Sequence, residues 1–299
     1  MRASVIIVTA GRPHLLEDTL RSLEACRPAP HQVVVVDGDT QGTARGPTER
    51  HASSVVYEVE YRAGPRALCR QRNLGIDRAK GDVVVFIDDD VWLEPDAFGP
   101  LLSALGEPGV VGATGKVLEP SPRRLGLTHS RLRRLLPGAS RQGTMTPSGY
   151  PNRLWDLDLA GDVEVMHGCW MASTTELARE LRFDEKLEEP GYAVLDDEEF
   201  AYRLSRHGRI RYVPTAVLEH RNTGFSSADA RLFSRSVMRN RVYTYHKNFK
   251  QTPGTLAHFA LIVALLFVHR ALNGDRRGLI GLVDGLRLAR RERTGWARA

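Results

Sequence analysis

At 299 residues, 42% hydrophobic and 26% charged, the chain is long enough for one large core or two modest ones, and it is neither a disordered polymer nor a polytopic membrane protein. Three cysteines, Cys26, Cys69 and Cys169, lie far apart without a Cys-x-x-Cys pair, which argues against a disulfide framework or a zinc site and fits a reducing compartment. The net charge of +6 is unevenly shared: residues 231–299 hold 14 Lys/Arg against 3 Asp/Glu, and the other 230 residues hold 28 against 33.

The first residues, MRASVIIVTAGR, carry a short apolar run into a Gly-Arg turn, without the regions of a signal peptide, so export by that route is not expected. Residues 4–9 (SVIIVT) have the composition of a buried strand, and residues 14–24 repeat leucine at helical spacing. Residues 32–36 (QVVVV) predict a second strand ending at Asp37-Gly38-Asp39, and residues 55–61 a third. Residues 67–80 predict a helix stopped by Gly81, and residues 83–87 (VVVFI) a strand ending at Asp88. Apolar runs without alternation belong to strands covered on both faces, so the pattern predicts a mostly parallel, Rossmann-like α/β sheet. In such sheets ligands sit beyond the carboxyl ends of the strands, where the polar clusters after Thr9, Val36 and Ile87 fall.

From 116 to 163 the rhythm breaks into a stretch rich in Pro, Gly, Ser and Arg, which predicts either a binding loop or lid or a disordered segment. Order returns over 163–172, followed by a helix at 174–181, a helix at 196–207 (DDEEFAYRLSRH) and a strand at 210–213 before Pro214. The last 69 residues read as helical. Their apolar run at 259–268 falls short of a membrane span once His258, His269 and Arg270 are counted, and residues 279–293 set Leu, Ile and Val against Arg.

Three adjacent carboxylates, Asp88, Asp89 and Asp90, at the end of a buried strand repel one another and call for a positive partner. Hard divalent cations such as Mg²⁺ or Mn²⁺ take oxygen ligands, and in an extended segment Asp88 and Asp90 share one side. An acidic turn facing water is the plain alternative. Asp37 can likewise be an ordinary Asp-Gly turn, and Arg72 with Asn73 a solvated helix face. Asp196 and Asp197 in a first helical turn are also ordinary dipole complements, and His220 alone is more often structural. Together, a second acid cluster and a carboxylate/histidine set are what displacement at a sugar carbon needs.

The ordered set SVIIVTAGRP, VVVVDGDT, RQRNLGIDRAKGDVVVFIDDD, GCWMAS, RFDEKL and LDDEEFAYRLSRHGRIRYVPTAVLEH resembles the family 2 glycosyltransferases of GT-A fold, rhamnosyltransferase-like members included, over roughly residues 3–250. The resemblance implies an α/β GT-A catalytic domain at 1–225, with a nucleotide-sugar-binding half at 1–115 and an acceptor half at 116–225, and a helical tail at 226–299. It implies donor contacts from Thr9, Arg12, Asp37, Arg72, Asn73, Asp88 and Asp89, with Asp37 on the base. Asp90 and His220 correspond to metal ligands, Asp197 to the general base, and Trp170 and Asp196 to the acceptor side. Three positions depart from the family pattern: Ala10-Gly11-Arg12 after the first strand, Asp196 in place of a glutamate, and Ser173-Thr174-Thr175 in place of an arginine pair.

The implied reaction moves a hexosyl or deoxyhexosyl group from a UDP- or dTDP-sugar to an acceptor hydroxyl of a glycan, lipid-linked or small molecule, with inversion and Mg²⁺ or Mn²⁺. A nucleotidyltransferase of similar fold and a degenerate nucleotide-binding scaffold are the alternatives; a P-loop NTPase is disfavoured because no GxxxxGK[ST] run occurs. The basic, partly apolar tail predicts attachment to an anionic membrane surface on the cytoplasmic face rather than to nucleic acid, with packing on the catalytic domain as the other reading.

Overall fold

Valine and isoleucine dominate the centre of the sheet because these strands are covered on both sides. Val5, Ile7, Val33, Val35, Val83, Val85 and Ile87 share one buried cluster with Leu16, Leu20 and Leu23. On the other face Phe86 meets Phe183 and Phe200 edge-on, at 5.1 and 6.1 Å between ring centres. The computed structural model describes residues 1–119, 131–137, 141–152, 158–189, 192–221 and 230–296. Two compact units divide the chain: the first comprises Met1–Ser121, Leu154–Glu188 and Asp196–Thr223, the second Pro122–Arg153, Glu189–Leu195 and Gly224–Ala299. The second unit therefore takes in two segments besides the tail.

The first unit begins with β1 (Ala3–Thr9), α1 (Pro13–Ala25), β2 (Gln32–Asp37), α2 (Arg45–Ser54), β3 (Glu58–Ala63), α3 (Leu68–Arg78) and β4 (Val83–Asp88). It continues through β5 (Val91–Leu93), α4 (Phe98–Leu105), β6 (Val110–Leu118), β7 (Gly161–Val163), β8 (Trp170–Thr174) and α5 (Thr175–Leu181). The two-residue strands β9 (Glu188–Glu189) and β10 (Tyr192–Ala193) stand outside the main sheet, and α6 (Asp196–Leu204) and β11 (Arg209–His220) follow.

The main sheet runs β3-β2-β1-β4-β8-β6-β11-β5, with β7 on β11. Its first four strands are parallel, as are β6 and β11, whereas β8 runs antiparallel to β4 and β6, and β5 and β7 run antiparallel to β11. Strands β3, β2, β1, β4, β6 and β11 therefore point one way, as a mostly parallel sheet requires, and β8, β5 and β7 point the other. Apolar composition reports burial on both faces, and β8 is as buried as β4 beside it, so its direction left no mark.

Two more differences have local causes. Helix α2 was not foreseen because RGPTERHASS carries no apolar stripe; it is anchored instead by His51, whose ring nitrogens meet Glu24 at 3.1 Å and the Tyr57 hydroxyl at 2.9 Å. Strand β11 continues past Pro214, where the pairing to β6 shifts register between Val213 and Val217. Such an irregularity accommodates a residue with no amide hydrogen, and it lets the strand carry His220 to the sheet edge. Of the irregular stretch at 116–163, residues 120–130, 138–140 and 153–157 lie outside the described residues, so the lid-or-disorder expectation falls in part on them.

The second unit contains helices α7 (Ala230–Asn248), α8 (Pro253–Leu272) and α9 (Arg276–Trp296). Helices α7 and α9 pack closely because Gly281 and Gly285 have no side chain: an added Cβ would lie 2.2 Å from the Arg231 carbonyl oxygen and 2.4 Å from that of Arg235. Ile262, Leu265 and Leu266 of α8 join Met238, Leu282, Tyr150 and Leu136 in this unit's core. The opposite side of α8, with Ala257, Ala260, Ala264, Val268 and Leu272, is exposed. At 20 residues and a mean hydropathy of 1.8, α8 is long and apolar enough to cross a membrane, contrary to the shorter span read from 259–268.

Candidate active site

Strand register decides which polar residues share an edge. Thr9 pairs with Asp37 and Val8 with Asp88, so β1, β2 and β4 end side by side. Because β8 is antiparallel to β4, its beginning lies at the same edge, with Trp170 opposite Ile87. Strands β6 and β11 deliver Glu119 and His220, since Leu118 pairs with Glu219 immediately before them. Ends of six strands thereby meet at one edge.

The aspartate triplet separates into two groups. Asp89 is fully buried; it accepts from the Thr9 hydroxyl at 2.5 Å and from Arg12 Nε at 3.1 Å, and pairs with Arg12 again through its second oxygen. Burial pushes its carboxyl up to about 7, with Arg12 and Thr9 pulling the other way. Asp88 and Asp90 instead face His220, with Nε2 3.2 Å from Asp90 Oδ1 and 3.9 Å from Asp88 Oδ2. One ligand atom from each of Asp88, Asp90 and His220 lies within 4.8 Å of the others.

The electrostatics of this trio follow from proximity. Burial raises the Asp88 carboxyl, opposed by Arg72 and His220. Burial acts the same way on Asp90, but the bond to His220, its charge and Arg12 outweigh it and hold the carboxyl below its ordinary value. Burial alone would lower His220; Asp90 and Glu119 overcome that and raise the imidazolium to about 10. Two carboxylates and an imidazole at this spacing form a mixed oxygen and nitrogen donor set that fits a divalent cation such as Mn²⁺. The repulsion between Asp88 and Asp90 supplies the reason for a positive partner there.

A second acidic group adjoins the first through one guanidinium. Arg72 is buried, pairs with Asp196, lies 3.6 Å from Asp88 Oδ1 and donates to the Gly168 carbonyl at 3.1 Å. Burial pushes the Asp196 carboxyl up against the pull of Arg72. Asp197, in the first turn of α6, is partly exposed and accepts from the Glu198 amide at 2.8 Å. Its other oxygen lies close over Gly168, where an added Cβ would come 2.9 Å from Asp197 Oδ2, so a side chain there would displace the carboxylate. Just ahead, Leu195 adopts φ of 72°, an uncommon backbone for a branched side chain.

Comparison with known proteins supplies the family. Residues 4–173 match Glycosyl transferase family 2, more than half of the chain. The chain belongs to glycosyl transferase family 2. It is 31% identical over 115 residues to the succinoglycan biosynthesis protein ExoM of Rhizobium meliloti (strain 1021), a match spanning 37% of each protein. Among solved structures it resembles the Pyrobaculum calidifontis mannosyltransferase PcManGT, in complex with GDP-Man and Mn²⁺, at a TM-score of 0.61 and 17% identity, over 96% of this chain and 74% of that one. It also resembles GalNAc-T7 with UDP, GalNAc and Mn²⁺, at 0.58 and 18%, over 82% and 50%. S. aureus TarS matches at 0.55 and 16%, over 91% and 44%. These likenesses establish the GT-A fold.

Within this family 2 chain several expected contacts are turned inward. Asp37 is fully buried and accepts from the amides of Asp39 at 2.8 Å and Ala44 at 3.0 Å and from the Tyr61 hydroxyl at 3.2 Å, so it builds the 37–44 loop. Asn73 clasps the Phe183 backbone, donating to its carbonyl at 2.9 Å and accepting from its amide at 2.8 Å. Thr9 and Asp89 satisfy each other. Trp170 is a core residue, edge-on to Phe98 and donating to the Ala216 carbonyl at 3.0 Å; with no exposed surface it offers an acceptor nothing to touch. For Asp37, Thr9 and Asp89 the cause is that a strand end needs its own polar groups paired before it can present others.

One residue at the edge carried no sequence signal: Glu119 has its Oε1 3.6 Å from His220 Nδ1 and belongs to no motif. Gly168 opens the GCWMAS motif, but its contact with Asp197 shows only in the folded chain.

Proposed function

We propose that this chain transfers a hexosyl or deoxyhexosyl group from a UDP- or dTDP-sugar to an acceptor hydroxyl with inversion. The observation that carries this reading is the buried guanidinium of Arg72, shared between Asp88 of the carboxylate/histidine trio and Asp196, next to Asp197. Asp197, partly exposed, takes the acceptor proton as the hydroxyl attacks the anomeric carbon opposite the leaving group. Asp88, Asp90 and His220 hold Mg²⁺ or Mn²⁺, which when bound neutralises charge on the departing nucleoside diphosphate. Arg72 fixes the relation between the two acidic groups, and Arg12, half exposed beside Asp89 and Asp90, offers a further cation at the same edge. Asp37, Thr9 and Asp89 satisfy the polar groups of the strand ends, and Asn73 ties α3 to the Phe183 backbone.

Incubating the purified chain with a panel of nucleotide sugars, Mn²⁺ and glycan or lipid-linked acceptors tests the reading. Release of nucleoside diphosphate with an inverted product supports it; pyrophosphate release would identify a nucleotidyltransferase instead, and absence of turnover across the panel a binding scaffold.

The exposed apolar side of α8 and the basic face of α9 (Arg276, Arg277, Arg287, Arg290 and Arg291) support peripheral attachment to the cytoplasmic face of an anionic membrane. Flotation with phosphatidylglycerol-containing vesicles checks it. The full chain floats and Val268→Asp/Leu272→Asp does not; equal flotation of both, or of neither, rules the attachment out.

A further inference from the structure

We propose that Glu119 is a positioning residue for His220, holding the imidazole so that Nε2 faces Asp88 and Asp90. This rests on the reading of those three residues as a divalent-cation site. The two ring nitrogens of His220 have different surroundings. Nε2 points into the carboxylate pair, 3.2 Å from Asp90 and 3.9 Å from Asp88. Nδ1 is buried, makes no hydrogen bond among the described residues, and has Glu119 Oε1 at 3.6 Å.

A neutral imidazole that gives the Nε2 lone pair to a cation carries its proton on Nδ1. Here that proton is shut off from water, and an unmet buried donor costs about 1–3 kcal/mol. The carboxylate at 3.6 Å is past hydrogen-bond reach, and an approach of about 0.7 Å makes the bond. Strand pairing sets up this meeting: Leu118 of β6 is in register with Glu219 of β11, so Glu119 and His220 leave their strands together. Glu119 therefore selects the tautomer, fixes the ring and adds negative charge behind the ligand. It touches neither donor nor acceptor in this role. Carboxylate partners of metal-bound histidines affect metal affinity by about 10–100-fold.

The test is direct titration of the full-length chain with Mn²⁺ alone, free ion being read by electron paramagnetic resonance, so that no turnover is required. The wild-type chain and Glu119→Gln, Glu119→Ala and His220→Ala are compared, with thermal unfolding of each metal-free protein alongside. Glu119→Ala weakens Mn²⁺ binding about 10–100-fold at an unchanged unfolding midpoint. Glu119→Gln falls between, because its amide oxygen still accepts from Nδ1 while the charge is gone. A role in folding alone would shift the midpoint and leave this ranking absent. The proposal is overturned if Glu119→Ala and Glu119→Gln both bind within twofold of wild type while His220→Ala is weakened. If His220→Ala also binds as wild type does, the cation-site reading fails and this proposal with it. Should Glu119→Ala not fold, the near-isosteric Glu119→Gln decides by the same twofold criterion.

Discussion

Two strand ends in the same sheet carry aspartates and use them in opposite ways. At the end of β2, Asp37 is buried with its oxygens engaged by two amides and a phenol, and Asp39 accepts from the Thr43 hydroxyl at 2.6 Å and the Gln41 amide at 3.2 Å. At the end of β4, Asp89 is consumed in the same manner by Thr9 and Arg12, but Asp88 and Asp90 are left facing each other and a histidine. An aspartate closing a buried strand is therefore not a site in itself. What marks a site is carboxylate capacity that the chain's own donors do not use up, at a place where like charges have been brought together.

The largest test of that distinction lies beside the β4 end. Asp197→Asn removes the proposed base and should lower turnover by about 10²–10⁴-fold. Mn²⁺ binding and thermal midpoint should stay near wild type; retention of full turnover would remove Asp197 from the reaction. Arg72→Met comes next. It strands Asp196 as a buried, unpaired charge and should cost about 3–5 kcal/mol of stability by urea unfolding, an effect too large for a residue that only contacts donor.

The two ends can then be set against each other by isosteric pairs. Asp37→Asn turns one amide donor towards another and is expected to cost about 1–3 kcal/mol of stability while leaving Mn²⁺ affinity untouched. Asp88→Asn should do the reverse: Mn²⁺ binding weakens, yet the metal-free chain is as stable or more so, because burial already disfavours the charged form. If Asp37→Asn weakens Mn²⁺ and Asp88→Asn mainly unfolds the protein, the contrast between the strand ends collapses. The smallest effect is on pH dependence. With His220 raised to about 10, the metal-free chain carries the imidazolium at neutral pH, and a cation must displace that proton. Apparent Mn²⁺ affinity should accordingly climb about tenfold per pH unit between pH 6 and 8, the sign being upward because rising pH removes the competing proton. A flat profile over that range would mean that His220 does not ligate.

Much of the site's composition was legible in the sequence, and little of its wiring. Asp88, Asp90, Asp197 and His220 were marked by where they fall: at the end of an apolar run, in the first turn of a helix, at the close of a late strand. Trp170, Asn73 and Asp37 were marked by the same family order, yet each turns inward to pair the chain's own groups. Motif position tells which edge a residue reaches but not whether its polar atoms remain available once neighbours are in place. Glu119 illustrates the converse, since its relation to His220 depends on the register of β6 on β11 across 101 residues of chain. Helix α2 leaves no periodic signal in the sequence because tertiary anchors through His51 replace the apolar stripe that usually announces a helix.

The sequence by itself determined the buried α/β core, the clustering of charge at the carboxyl ends of its strands and the basic, helical C-terminal stretch, because local composition reports burial and periodicity. Only the tertiary structure decided that β8 runs against β4, that Asp89 is spent on Thr9 and Arg12 while Asp88 and Asp90 meet His220, and that one side of α8 stays uncovered. The reason is that strand direction, hydrogen-bond saturation and exposure are set between segments far apart in the chain, and no window of sequence contains both partners.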